Sequence, residues 1–449
     1  MISRSAVSRA GQLALRRQQA CVRTQTRAFA AAASGPSAFE PTDIAGVKVL
    51  SKDGQGPSTK LAVVAKAGTR YQSAPGLTAG LEGFAFKNTS KRSALRITRE
   101  SELLGGQLTA YHTREAVVLE ASFLREHLPY FTELLSEVVS LTKFTRHELE
   151  EDIEPVLHIQ QEKYSANALA RAVDGAHDAA FHSGLGQALY QSTATHVSEH
   201  DVAAFADVAY TRPNIAVVAD GATQTALAKW VEPFFKTVPA APKSAAALST
   251  AASKYYGGQL RADSAAGNAV VIAFFTAGLN AADPAAAVLA SLLGGKSSIK
   301  WAPGFSLLSK ATTGLGTQVV AQNLLYSDAG LFTIQISGGS AATVRKAAEE
   351  AVKVVKSVAD GSVSKEDLTK AIAKTKFDVL TAGESGSAAL TAATAALYGA
   401  KAADTKAFEA VSADKLKTLA KTFLDGKASF AAVGDLHVLP YAEDVGLKV

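Results

Sequence analysis

At 449 residues the chain is longer than one ordinary core supports and suits two domains of about 200 residues each. A composition of 47% hydrophobic and 19% charged residues describes a globular protein and excludes disorder as its working state. The formal charge of +5 is unevenly placed, and that placement removes the case for a nucleic-acid partner.

Every acidic residue lies at or beyond Glu40, whereas Arg4, Arg9, Arg16, Arg17, Arg23 and Arg27 crowd the start among Ser, Ala and Gln. An Arg-rich, acid-free opening of this kind reads as a mitochondrial transit peptide. Arg27-Ala28-Phe29-Ala30 is similar to a mitochondrial cleavage pattern and places the expected mature terminus at Ala30. Removing residues 1–29 takes six of the 46 basic residues and no acid, leaving 40 against 41, a net charge of −1. The only Cys, Cys21, and the only Met, Met1, fall in the same segment. Thiol nucleophiles, disulfides, Cys-ligated zinc and iron–sulfur clusters are therefore excluded from the mature chain.

Beyond Gly46 the pattern is of paired strands. Val47 to Leu50 leads through a Lys52-Asp53-Gly54 turn into Thr59 to Ala67, ending at Gly68. Gly106 to Tyr111 and Ala116 to Phe123 form a second pair, followed by a helical pattern from Pro129 to Leu141. Ser198 with Asp201 marks a helix start, and Asn214 to Ala219 is a short apolar strand. A Pro/Ala/Ser stretch from Pro239 to Ser253 suits an exposed connection, giving a linker over 239–256.

The same plan then returns. Gly258 to Arg261 leads into Asn268 to Ala277 and Gly278, which lies 210 positions after Gly68. Gly314 to Asn323, Gly330 to Ser337, the helix Ala341 to Val358 and the strand Ala428 to Val433 repeat the remaining elements in order, and Ser364 with Asp367 marks a further helix start. The expectation is an α+β fold of two homologous domains, 30–238 and 257–449, each a mixed, mostly antiparallel sheet flanked by helices. No stretch reaches the roughly 18 apolar residues of a membrane span; Ala269 to Leu293 comes nearest and is broken by Asn280 and Asp283-Pro284.

The run Leu81-Glu82-Gly83-Phe84-Ala85-Phe86-Lys87-Asn88-Thr89 resembles the active-site helix of the mitochondrial processing peptidase and pitrilysin family, in which an H-x-x-E-H motif precedes a similar hydrophobic run and Lys-x-Thr. In a working member the two histidines bind zinc and the glutamate is the general base. The five matching positions here are Ala79-Gly80-Leu81-Glu82-Gly83, so the base is kept and both ligands are gone. The family's third ligand, a glutamate, falls near Ile159-Gln160, and neighbouring Glu154 or Glu162 alone would not hold zinc. A substrate-gripping Arg and Tyr in a pattern like R-G-L-A-Y are replaced by Thr313 and Thr317 in Thr313-Gly314-Leu315-Gly316-Thr317. Family-type hydrolysis is unsupported, because nothing activates the attacking water.

Other patterns carry less. His196 and His200 have metal-ligand spacing, but Ser198 as N-cap puts His196 outside the helix. Gly294-Gly295-Lys296-Ser297 resembles the end of a phosphate loop, yet Ala290 stands at its first glycine and a helix precedes it. The family's non-catalytic processing subunit has a long glycine-rich loop nearby; only Gly294, Gly295 and Gly304 occur here. The resemblance implies a non-catalytic member with no cofactor and no metal, serving as a scaffold in respiratory complex III. Core protein 1 and cytochrome b would be its neighbours, in a dimeric complex peripheral to the matrix face of the inner membrane. The alternative it leaves open is the substrate-recognising, non-catalytic subunit of the processing peptidase.

Overall fold

A computed structural model describes residues 39–54, 56–190, 196–243, 248, 251–295, 304–384, 387–400 and 405–449. The transit-peptide segment and Lys296-Ser297 lie outside the described residues. Two sheets organise the chain. The first contains β1 (Glu40–Ile44), β2 (Val47–Lys52), β3 (Ser58–Ala65), β4 (Gln107–His112), β5 (Val117–Leu124) and β6 (Ile215–Asp220). The second contains β7 (Gly258–Asp263), β8 (Asn268–Ala277), β9 (Gln318–Leu325), β10 (Ala329–Gly338) and β11 (Ala428–Gly434).

The strand orders are β1-β2-β6-β3-β5-β4 and β7-β11-β8-β10-β9. With β1 set aside, they match strand for strand. Each sheet has one parallel pair, β2 with β6 and β7 with β11, and is otherwise antiparallel. The duplication expected from the repeated order of elements is thus present in the topology. β9 starts at Gln318 rather than Gly314, because Gly314 and Gly316 have φ of 85° and 67° and turn the chain before the strand begins. β1, a hairpin partner of β2, had no sequence signal strong enough to predict it.

Every central strand is buried on both faces, and its period of two divides it between different cores. In β3, Leu61, Val63 and Ala65 join the core under the helices Leu128–Leu141, Glu199–Ala209 and Gln224–Phe235. Ala62 and Val64 point the other way, onto Ala389, Ala393 and Leu397 of the helix Ser387–Tyr398. In β8, Val270, Ile272 and Phe274 face the helices Pro284–Leu293, Ala341–Asp360 and Ala413–Asp425. Ala269, Val271 and Ala273 face Ala172, Ala176 and Ala180 of the helix Ala168–Phe181.

The two halves therefore exchange helices. A helix from the first half of the sequence covers the back of the second sheet, and a helix from the second half covers the back of the first. Both are alanine-rich at i, i+4 spacing, which lets helix and sheet approach closely. At Gly175 an added Cβ would already sit 2.9 Å from Leu260 Cδ2.

The glycines that follow β3 and β8, Gly68 and Gly278, have equivalent places. A Cβ on Gly68 would fall well under 3.0 Å from backbone atoms of Arg114 and Glu115, and one on Gly278 equally close to Asp328 and Ala329. The linker is less loose than its composition suggests. Tyr256 N–H donates to Ala180 O at 2.9 Å, Tyr255 Oη donates to Lys427 O at 3.0 Å, and Ser253 N–H donates to Asp328 at 2.7 Å.

Candidate functional site

The residues matching the peptidase motif form a short helix, Leu77–Gly83, opened by Gly76 in the left-handed region at φ 95°. Its first ligand position, Ala79, is buried at 4% exposure. Its second, Gly83, faces a filled space: a Cβ there would lie well under 3.0 Å from Ile153 Cγ2, a separation that real Cβ atoms essentially never show. Ile153 ends a wide π-type turn, Leu149–Ile153, that leads into the helix Glu154–Ser165. Gly80 is closed similarly, since a Cβ there would stand 2.9 Å from Val202 Cγ2. The space beside Gly83 therefore has no room for an imidazole.

Glu82, the remaining motif residue, is not a free surface acid. Its carboxylate is hydrogen-bonded to His112 Nδ1 at the end of β4, and His112 Nε2 donates to Leu189 O at 2.9 Å. A carbonyl can only accept, so Nε2 carries a hydrogen. The Glu82 carboxylate is thereby engaged by a side chain of the sheet. The His112 ring also meets Tyr190 edge-on, with centroids 5.9 Å apart. No spacing rule connects Glu82 to a histidine 30 residues later; only the pairing of β4 with β5 at the sheet edge brings them together.

The rest of the motif segment is fastened by its polar side chains. Asn88 N–H donates to Glu148 at 2.8 Å, its Oδ1 accepts from Ala94 N–H at 2.8 Å, and Lys87 reaches Asp152 at 2.9 Å. Thr89 donates to Glu137, which also pairs with Arg92. Burial acts against the Arg92 charge, but Glu137 and Glu133 outweigh it and raise its pKa above the ordinary guanidinium value. The resemblance at Lys-x-Thr is therefore carried by residues that hold the fold.

The third-ligand region lies on the helix Glu154–Ser165, none of whose residues is buried. Ile159 is 51% exposed. Gln161, one position beyond Gln160, lines a cleft of about 510 Å³ between the halves, together with Gln72, Tyr164, Gln187, Tyr190 and Leu260. Asp174 in its wall is already committed, accepting from Arg114 and, at 2.6 Å, from Tyr164 Oη. Burial first, then the Asp174 charge and hydrogen bond, push the Tyr164 phenol well above its ordinary value, so it remains protonated.

Thr313 Oγ1 donates to Ser309 O at 2.7 Å, and Thr317 Oγ1 is buried without a partner immediately before β9. Ser198 caps its helix with a full capping box through Asp201. The side chain of His200 is 90% exposed and 3.6 Å from Glu199. Gly294 and Gly295 follow the helix Pro284–Leu293; Gly295 bridges Val320 and its carbonyl accepts from Ser306 at 3.2 Å. Among the described residues no three His, Cys, Asp or Glu side chains gather as a metal site would require, and no helix is long and apolar enough to cross a membrane.

Comparison with known proteins supplies two family matches in tandem: the insulinase (peptidase family M16) model over residues 48–193 and the peptidase M16 inactive domain over residues 196–375. Along its whole length the chain is 61% identical to the mitochondrial cytochrome b-c1 complex subunit 2 of Neurospora crassa, covering all of both proteins. Its similarity to the subunit of that name from Schizosaccharomyces pombe is 35% over 91% of this chain and 95% of the relative. For the human protein of that name the figures are 28%, 94% and 96%.

Proposed function

The chain belongs to the M16 peptidase family, and we propose that within it the chain is a structural subunit of the mitochondrial cytochrome b-c1 complex, respiratory complex III, in the place of core protein 2. The observation that carries this is identity of 61% across the full length of both chains to a protein named as that subunit. The chain is a non-enzymatic subunit of the complex, and the motif helix supports reading it as a zinc peptidase that has lost its site. Ala79 and Gly83 stand at the ligand positions, Ile153 fills the space beside Gly83, and Glu82 is tied to His112. Thr313 and Thr317 replace the substrate-gripping pair, and their local environment supports a role confined to the turn before β9.

In this reading residues 1–29 are the import signal, 30–238 and 257–449 are the duplicated domains, and 239–256 joins them. Core protein 1 and cytochrome b are the neighbours, the complex is dimeric, and the chain sits on the matrix face of the inner membrane. The second reading, a substrate-recognising subunit of the processing peptidase, is not favoured, since the relatives matched end to end carry the b-c1 name. Depleting the chain from mitochondria and resolving the complexes on a native gel tests the proposal. The expected result is loss of the cytochrome b-c1 band with presequence cleavage retained. An intact band with cleavage lost, restored by adding this chain to a zinc-bearing partner, would overturn it.

A further inference from the structure

The seam between the halves contains a polar cluster that the loss of the peptidase site does not explain. Arg70 lies two residues beyond Gly68, in the turn after β3, and its side chain is 7% exposed. Its Nη1 donates to Glu115 at 2.8 Å, to Ser327 Oγ at 3.1 Å and to Asp328 Oδ1 at 2.7 Å. Its Nη2 donates to Asp328 Oδ2 at 2.6 Å and to Ala251 O at 3.1 Å. One guanidinium thus grips its own half, the facing half through a two-pronged carboxylate contact, and the linker.

The partners are themselves engaged across the seam. Glu115 accepts from Ser327 N–H at 2.9 Å and from Ser327 Oγ at 2.6 Å, and Asp328 accepts from Ser253 N–H. Glu115 and Asp328 occupy equivalent turns, β4–β5 and β9–β10, so the two copies of one hairpin meet here with Arg70 between them. Burial works to raise the Asp328 carboxyl, but hydrogen bonds from Arg70 and Ser253, with the Arg70 charge, outweigh it and hold it below its ordinary value. Beside this cluster Tyr71 Oη lies 2.7 Å from Tyr398 Oη, on the exchanged helix, and His177 Nε2 lies 2.8 Å from Tyr326 Oη.

We infer that Arg70 is a clasp that holds the two halves closed as one body, so that the chain offers its neighbours a fixed frame instead of opening about its linker. Opening would strip from a buried guanidinium the bonds that cross to Ser327 and Asp328, part Glu115 from Ser327, and leave Asp328 without its cation. A lysine could keep the charge but could not reproduce the planar fork. Arg70 acts here as a positioning residue.

The test is amide hydrogen exchange of the assembled complex, read at Ser253, Ser327 and Tyr256. Tyr256 N–H bonds across to Ala180 O and touches none of the altered groups. Arg70→Met should speed exchange at all three amides by about tenfold or more, and Arg70→Lys by less, keeping the measurement possible if the Met variant does not assemble. Arg70→Met with Glu115→Gln and Asp328→Asn removes the stranded charges without restoring the fork, and exchange at Tyr256 should remain fast. A triple variant protected like the wild type would overturn the clasp, showing that Arg70 only neutralises two buried acids. Unchanged exchange in Arg70→Met would do the same.

Discussion

Replacing Gly83 with alanine separates a site that is closed from one that merely lacks its ligands. Gly83 is the last residue of the helix Leu77–Gly83 and has no positive φ, so its backbone accommodates alanine. In an open helix the change would stabilise by up to about 1 kcal/mol. Here the new Cβ falls well under 3.0 Å from Ile153 Cγ2 and 3.3 Å from Cγ1, and Ile153 is 2% exposed. Overpacking of a filled core typically costs about 1–3 kcal/mol, so the net expectation is a loss of about 1–2 kcal/mol. Ile153→Ala costs roughly 2–5 kcal/mol by itself, yet it removes both clashing carbons. In that background Gly83→Ala should be neutral or stabilising, a coupling of about 2 kcal/mol between the two positions. Urea unfolding of the purified chain reads this as midpoint shifts at constant slope. Stabilisation by Gly83→Ala in the wild-type background, or the same shift in both backgrounds, would show that the space beside Gly83 is open.

Glu82→Gln should leave the b-c1 complex assembled on a native gel while lowering chain stability by about 1–2 kcal/mol in urea, because the carboxylate bonds His112. Gly278→Ala should cost about 3 kcal/mol or more, since the atoms its Cβ would meet are backbone and cannot yield, whereas Gly339→Ala, with nothing within 4 Å, should shift stability by less than about 0.5 kcal/mol. Burial, then the Arg114 charge, push the His177 imidazole well below its ordinary 6.5, with the Val173 carbonyl only partly opposing. The unfolded chain therefore binds the extra proton first, so this contribution is complete above about pH 6.5 and is lost as the pH falls below it. His177→Gln should flatten the slope of unfolding free energy between about pH 6.5 and 5, and an unchanged slope would place its cause elsewhere.

The elements of both sheets were largely legible because period-two alternation and terminal glycines are local signals. Asn268 to Ala277 matches β8 residue for residue, and the Gly68–Gly278 correspondence reflects two turns with the same steric limit. That Ala79 and Gly83 carry no metal-binding side chain is read directly from residue identity. The partner of Glu82 is not. His112 reaches it through sheet pairing, and Ile153 reaches Gly83 through a widened helical turn; neither leaves a trace in residue spacing.

Duplication and the order of strands and helices follow from residue identity and short-range pattern, and so could be read along the chain. How the copies are joined could not. An alanine-rich run such as Ala168–Phe181 specifies a small, apolar helical face but not the sheet that will receive it. That choice depends on which surface remains uncovered once each sheet has packed against its own helices. Here it sends a helix of each half across to the other.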